Sequence, residues 1–196
     1  MIDWETVRLP IVIISSARSG STVLANHIQK KIHGVPRFIE PEKDKNYLSE
    51  FISLAENSKK YISKIHIDSF GFYPLDLSNY LRYSDEPYRI SIERRNKVNQ
   101  CLSFYIEKHR QRWIYSEGDA FKREIIPVNY QLLEESVKYI MLQNKMVSES
   151  NIKFDLSLVY ENCNFENTGV GKTPKPKNYD QLHNEITKIF NNYKKA

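Results

Sequence analysis

The chain is poor in cysteine: 196 residues carry two, Cys101 and Cys163, in no CxxC pair and in no Cys/His cluster. That excludes a disulfide framework and a zinc site of the usual spacing, and it casts both thiols as packing residues. No apolar run approaches the ~20 residues a membrane helix needs, and Asp3 and Glu5 interrupt the start where a secretory leader would be apolar. A cytoplasmic protein without membrane contact is the expectation. Long runs of one charge are absent too. The net charge is +5, but the basic residues sit in scattered pairs, Lys30-Lys31, Lys59-Lys60, Arg94-Arg95 and Lys194-Lys195, with a looser group from Lys172 to Lys177. This pattern favours anionic ligands and speaks against a nucleic-acid surface. There is no internal repeat.

What is present suits one compact domain spanning 1–196, with 40% hydrophobic and 27% charged residues. Residues 9–15 read as a strand buried on both faces, because Ile11, Val12, Ile13 and Ile14 do not alternate with polar residues. From Ser21 a helix follows with Leu24, Ile28 and Ile32 at helical spacing, stopped by Gly34 and Pro36. Arg37–Ile39 is a short strand, and Leu48, Phe51, Ile52 and Ala55 mark a helix. Tyr61–Ile67 and Tyr88–Ile92 are strands, and Val98, Cys101, Leu102, Tyr105 and Ile106 face one side of a long helix. Residues 115–129 read as an excursion. Leu133, Val137, Ile140 and Met141 predict a further helix, Phe154–Tyr160 a last strand, and Leu182, Ile186, Ile189, Phe190 and Tyr193 a terminal helix capped by an Asn178/Gln181 pair. Strands alternating with helices predict a three-layer α/β/α sandwich on a mainly parallel sheet of about five strands, with ligands at the strands' carboxyl ends.

At the first such end lies Ser15–Thr22, SSARSGST. A glycine-containing turn into a helix aims backbone N–H groups at one point, where the helix dipole also favours an anion. Ser19, Ser21 and Thr22 add hydroxyls, Gly20 the turn, and Arg18 a fork for phosphate or sulfonate oxygens. The nucleoside-triphosphate loop GxxxxGK[ST] is a poor match, since its lysine and first glycine are missing here. Gly171-Lys172-Thr173 is no better, with Glu166 where that motif has glycine and no apolar strand before it. A second basic strand end follows at Ile90–Ser103, ISIERRNKVNQCLS. There Arg95, Asn99 and Ser103 are spaced four apart, the spacing of one helical stripe.

Together these segments resemble the sulfotransferases that use 3'-phosphoadenosine 5'-phosphosulfate (PAPS). Their strand-loop signature P-[KR]-S-G-[ST]-T is similar to Ala17-Arg18-Ser19-Gly20-Ser21-Thr22, with alanine for proline. Their second signature, a strand ending in arginine with serine eight residues on, is similar to Arg95 and Ser103. The likeness covers residues 9 to about 106. Beyond that only Val159-Tyr160-Glu161 and Asn178–Leu182 are reminiscent. It implies a fold like that of the P-loop NTPases. It also implies a sulfonate transferred from PAPS to a hydroxyl or amine of a small-molecule or glycan acceptor, leaving adenosine 3',5'-bisphosphate, with no metal required. The first loop would bind the 5'-phosphosulfate, and Arg95 with Ser103 the 3'-phosphate. The family's glycine-rich segment over the 3'-phosphate corresponds loosely to Gly169–Lys177, which makes Lys172, Lys175 and Lys177 candidate contacts.

Sulfonyl transfer needs a base for the acceptor's proton and positive charge for the leaving phosphate, and Arg18 supplies the latter. His66 is the first candidate base, at a strand end and titrating near working pH, with Lys64 on the same side by period-two alternation. The pair is similar to a Lys-Thr-His element of the cytosolic sulfotransferases, in which the lysine contacts the sulfonate. Glu40, after the second strand, competes for the role of base and would need a pKa raised by burial. Two alternatives stand beside this reading: a nucleotide kinase-like phosphotransferase with Asp68 holding magnesium, and a non-catalytic adenosine-bisphosphate-binding module.

Overall fold

The computed structural model describes residues 2–67, 86–111, 124–165 and 175–195. Among them five strands form one sheet: β1 (Ile11–Ser15), β2 (Arg37–Ile39), β3 (Ile62–His66), β4 (Tyr88–Glu93) and β5 (Leu156–Val159). Their order is β2-β3-β1-β4-β5, and every neighbouring pair is parallel. The described helices are α1 (Ser21–Lys31), α2 (Lys45–Ser58), α3 (Lys97–Arg110), α4 (Tyr130–Glu149) and α5 (Tyr179–Tyr193).

The missing alternation in β1 has its explanation in the layers. Ile11 and Ile13 pack with Leu24, Ala25 and Ile28 of α1, whereas Val12 and Ile14 pack with Phe51 and Ala55 of α2 on the opposite face. Successive side chains of a strand point to opposite faces, so a strand covered on both must be apolar throughout. Aromatic edge-to-face contacts, Phe38 on Phe51 and Phe51 on Tyr61 with centroids 5.2 and 5.1 Å apart, fill the α2 side. Helices α3, α4 and α5 share a third cluster in which Tyr105, Leu133, Val137, Leu182 and Ile186 are fully buried. The three-layer sandwich expected from the alternation is thus present, with an all-parallel sheet.

Some local expectations are corrected. Asn178 stands at the N-cap of α5, but its side chain makes no cap bond. Its side chain instead donates to the carbonyl of Ile126 and accepts from that residue's N–H, at 2.7 and 3.0 Å. The last strand is shorter than Phe154–Tyr160 because Tyr160 already begins a 3-10 turn. Asp68, Lys172, the Gly171-Lys172-Thr173 motif and most of the excursion lie outside the described residues. No described helix is long and apolar enough to cross a membrane. Both cysteines are free, and burial pushes the Cys101 thiol up to about 12, as suits a packing residue.

Candidate active site

The loop between β1 and α1 turns sharply at two residues with positive φ, Arg18 at 58° and Gly20 at 95°. Gly20 is the N-cap of α1 and has no side chain to cap it, so the first N–H groups of the helix keep their free valence for a ligand. Glycine is required here for a second reason. A Cβ on it would lie 2.1 Å from Cδ2 of Tyr160, whose ring is seated against the turn with the Arg94 guanidinium 5.5 Å from its centroid. Ser19 is fully buried, and its hydroxyl has no hydrogen-bond partner among the described residues. A buried, unpartnered donor in a loop of this kind fits a ligand oxygen.

Beneath the turn, the backbone is held by amide side chains from α3 and α4. Gln143 Oε1 accepts from the N–H of Ala17 at 2.6 Å, and Gln100 Nε2 donates to the Ala17 carbonyl at 2.6 Å and to Ser16 Oγ at 2.9 Å. Asn144 Oδ1 accepts from Ser16 Oγ and from the Lys97 ammonium at 3.2 and 3.0 Å. Sequence reasoning missed these residues. Their signal was amides on otherwise apolar helical faces, which periodicity alone reads as surface.

The two sequence motifs meet. Arg18 Nε donates to Ser103 Oγ at 3.0 Å, and Arg18 Nη2 lies 3.6 Å from a carboxylate oxygen of Glu107, one turn further along α3. Arg95 does not share the helical stripe expected for it, because α3 starts at Lys97 with Asn96 as N-cap, and Arg95 precedes the cap. Its side chain is exposed at the carboxyl end of β4. Its N–H and that of Asn96 donate to the Glu161 carboxylate at 2.8 and 3.0 Å, so this acid fixes the turn that presents the arginine. Asn99 accepts from the Tyr179 hydroxyl at 3.3 Å, and the Lys175 ammonium sits 4.4 Å from the Tyr179 ring centroid. The described end of the Gly169–Lys177 stretch therefore lies along the same edge of α3.

On the neighbouring strands Glu40, Lys64 and His66 are brought together. Ser15 is in register with His66, and Lys64 with Ile39, so this cluster adjoins the loop. Lys64 is 1% exposed, and its ammonium bonds a Glu40 carboxylate oxygen and His66 Nε2, the latter at 2.6 Å. Lys43 holds the other oxygen of Glu40. An ammonium has only donors, so Nε2 of His66 accepts and the ring proton sits on Nδ1. Burial and the adjacent Lys64 charge hold the His66 pKa well below its ordinary value against the pull of Glu40, and Lys43 and Arg18 lower it further. The imidazole is therefore neutral at neutral pH. For Glu40 burial acts upward, but His66, Lys64 and Lys43 outweigh it and hold the carboxyl below its ordinary range. Since His66 is neutral, the two lysines account for that direction. Glu40 is an ionised counter-charge, without the raised pKa that base work asks of it. It also occupies a left-handed conformation, φ 53°, rare for a residue with a side chain.

A scan against protein-family models and a search of curated proteins both find no match to this chain.

Proposed function

We propose that this protein is a PAPS-dependent sulfotransferase that transfers a sulfonate to an acceptor hydroxyl or amine and releases adenosine 3',5'-bisphosphate. The observation that carries the reading is the bond from Arg18 to Ser103. It joins two motifs 85 residues apart in sequence into one basic, hydroxyl-lined edge at a helix start. In this reading the N–H groups at the start of α1, the buried Ser19 hydroxyl and Arg18 bind the 5'-phosphosulfate, while Ser103 and Arg95 bind the 3'-phosphate. Ser103 stands between the two halves, since its oxygen accepts from Arg18 and a hydroxyl can also donate.

His66 is the base in this scheme. As the acceptor oxygen or nitrogen forms its bond to sulfur, its proton passes to Nε2 of His66, and the S–O bond to the leaving phosphate breaks with both electrons on that oxygen. Lys64 turns from His66 toward the sulfonate as the imidazole takes up charge, and Arg18 offsets the charge on the departing phosphate. Glu40 balances Lys64. A cytoplasmic setting belongs to the same proposal.

Calorimetry with adenosine 3',5'-bisphosphate tests it. Binding is expected in the micromolar range, weakened about tenfold or more by Arg18→Ala and by Arg95→Ala, each of which removes a charge-assisted contact. Absence of binding, or affinity indifferent to both substitutions, overturns the assignment. Tighter binding of magnesium-ATP than of the bisphosphate would point to phosphoryl transfer instead.

A further inference from the structure

Glu107 is the one acid on α3 that is wholly withdrawn from water, at 0% exposure, and no step above uses it. Around it Gln100, Cys101, Leu102, Ser103, Phe104, Tyr105 and Ile106 are buried as well, so the helix is enclosed on every side over this stretch. A carboxylate is almost never fully buried without a partner, and removing it from water is costly unless a charge close by compensates. Arg18 is that charge, 3.6 Å away and itself only 20% exposed. Ser103 and Glu107 are four residues apart, the spacing that stacks side chains on one helical face. The guanidinium thus lies against α3 with its Nε toward the hydroxyl and one terminal nitrogen toward the carboxylate.

From this we infer that Glu107 is a positioning residue that sets the anion affinity of the loop: it fixes the Arg18 fork at the loop mouth and cancels part of its charge. The inference rests on the reading that Arg18 receives an anionic ligand, and not on the identity of that ligand. Its logic is electrostatic. A phosphate at the loop meets an arginine whose charge is already shared with a buried carboxylate, so it is held in place but more weakly than a bare guanidinium would hold it. A site that must release a phosphate group close to dianionic on every turnover gains from that attenuation.

The sign of the effect distinguishes this role from mere support of the fold. Glu107→Gln keeps the shape and an acceptor for Arg18 but removes the charge, so the dissociation constants for inorganic phosphate and for adenosine 3',5'-bisphosphate should both fall about tenfold. A purely structural residue gives the opposite result, since loosening the loop can only weaken binding. The gain must vanish in the Arg18→Ala background, where the guanidinium that meets the anion is gone. Unchanged or weaker binding by folded Glu107→Gln, or a gain that survives Arg18→Ala, overturns the inference while leaving the sulfotransferase reading intact. Failure of the wild-type chain to bind either ligand overturns both. If Glu107→Gln does not fold, the wild-type protein still decides. Its Arg18 Nε–H resonance, assigned by Arg18→Lys, should exchange slowly before phosphate is added and shift on addition. Exchange at the solvent rate in the phosphate-free protein removes the tie to α3 and with it the inference.

Discussion

Beneath the loop, the backbone of Ser16 and Ala17 is held by the neutral amides of Gln100, Gln143 and Asn144. One strand over, Glu40, Lys43 and Lys64 hold one another with full charges around His66. Both sites sit at the same edge of the sheet and both are largely buried, yet they answer different demands. A scaffold of amides fixes geometry without adding a net field, so it neither attracts nor repels an anion placed above it. A scaffold of ions sets protonation states: burial together with the ammonium of Lys64 keeps His66 neutral, and Lys64 with Lys43 keeps Glu40 charged. The loop is built for shape and its neighbour for proton affinity.

Lys64→Met gives the largest expected effect, because it leaves a partly buried Glu40 with the peripheral Lys43 and a neutral His66. A loss of about 3 kcal/mol in urea unfolding is expected, the usual result of removing one member of a buried pair. A loss below half a kcal/mol would show that the ionic site is solvated after all. Gly20→Ala breaks the geometric site next. The left-handed backbone and the contact with Tyr160 together should cost about 2 kcal/mol. Adding Tyr160→Ala should return part of that, and a double variant no more stable than Gly20→Ala would mean that the ring plays no part. Gln143→Leu, which leaves the Ala17 N–H buried and unpaired, should cost about 1.5 kcal/mol. It should also leave the pH dependence of stability unchanged, since no titrating group is touched.

That pH dependence belongs to the ionic site. His66 and Glu40 both bind protons more weakly folded than unfolded, so their contribution is complete above the ordinary values and is lost as pH falls. For His66 the loss starts near 6.5 and amounts to about 1 kcal/mol over the first pH unit below it; Glu40 adds its own below about 4.5. His66→Gln should flatten the first limb and spare the second. An unchanged first limb would separate His66 from the acid sensitivity.

Strands and helices were legible because the two periodicities are strong: β1 has no polar residue among its four isoleucine and valine positions, and α5 repeats Leu182, Ile186 and Phe190 on one face. The candidate residues Arg18, Ser103, His66 and Glu40 were legible because each stands at a strand end or on the helix that follows one, and Lys64 because it alternates with His66 on the same strand. What was hidden depended on the angle at which helices cross the sheet. Nothing in the sequence tells that the faces of α3 and α4 bearing Gln100 and Gln143 turn toward the loop. Arg95 was misplaced by counting fours from a residue that precedes the N-cap. Glu107 could have been found by continuing that count one step beyond Ser103.

Helix α3 touches the loop three times, through Gln100, Ser103 and Glu107, and is enclosed by the core along the same stretch. The loop consequently has no hinge of its own. Its conformation is selected when the chain folds, which removes most of the ordering entropy from any later encounter with a ligand. Binding should then register as slower amide exchange along a central helix, with little rearrangement at the surface turn.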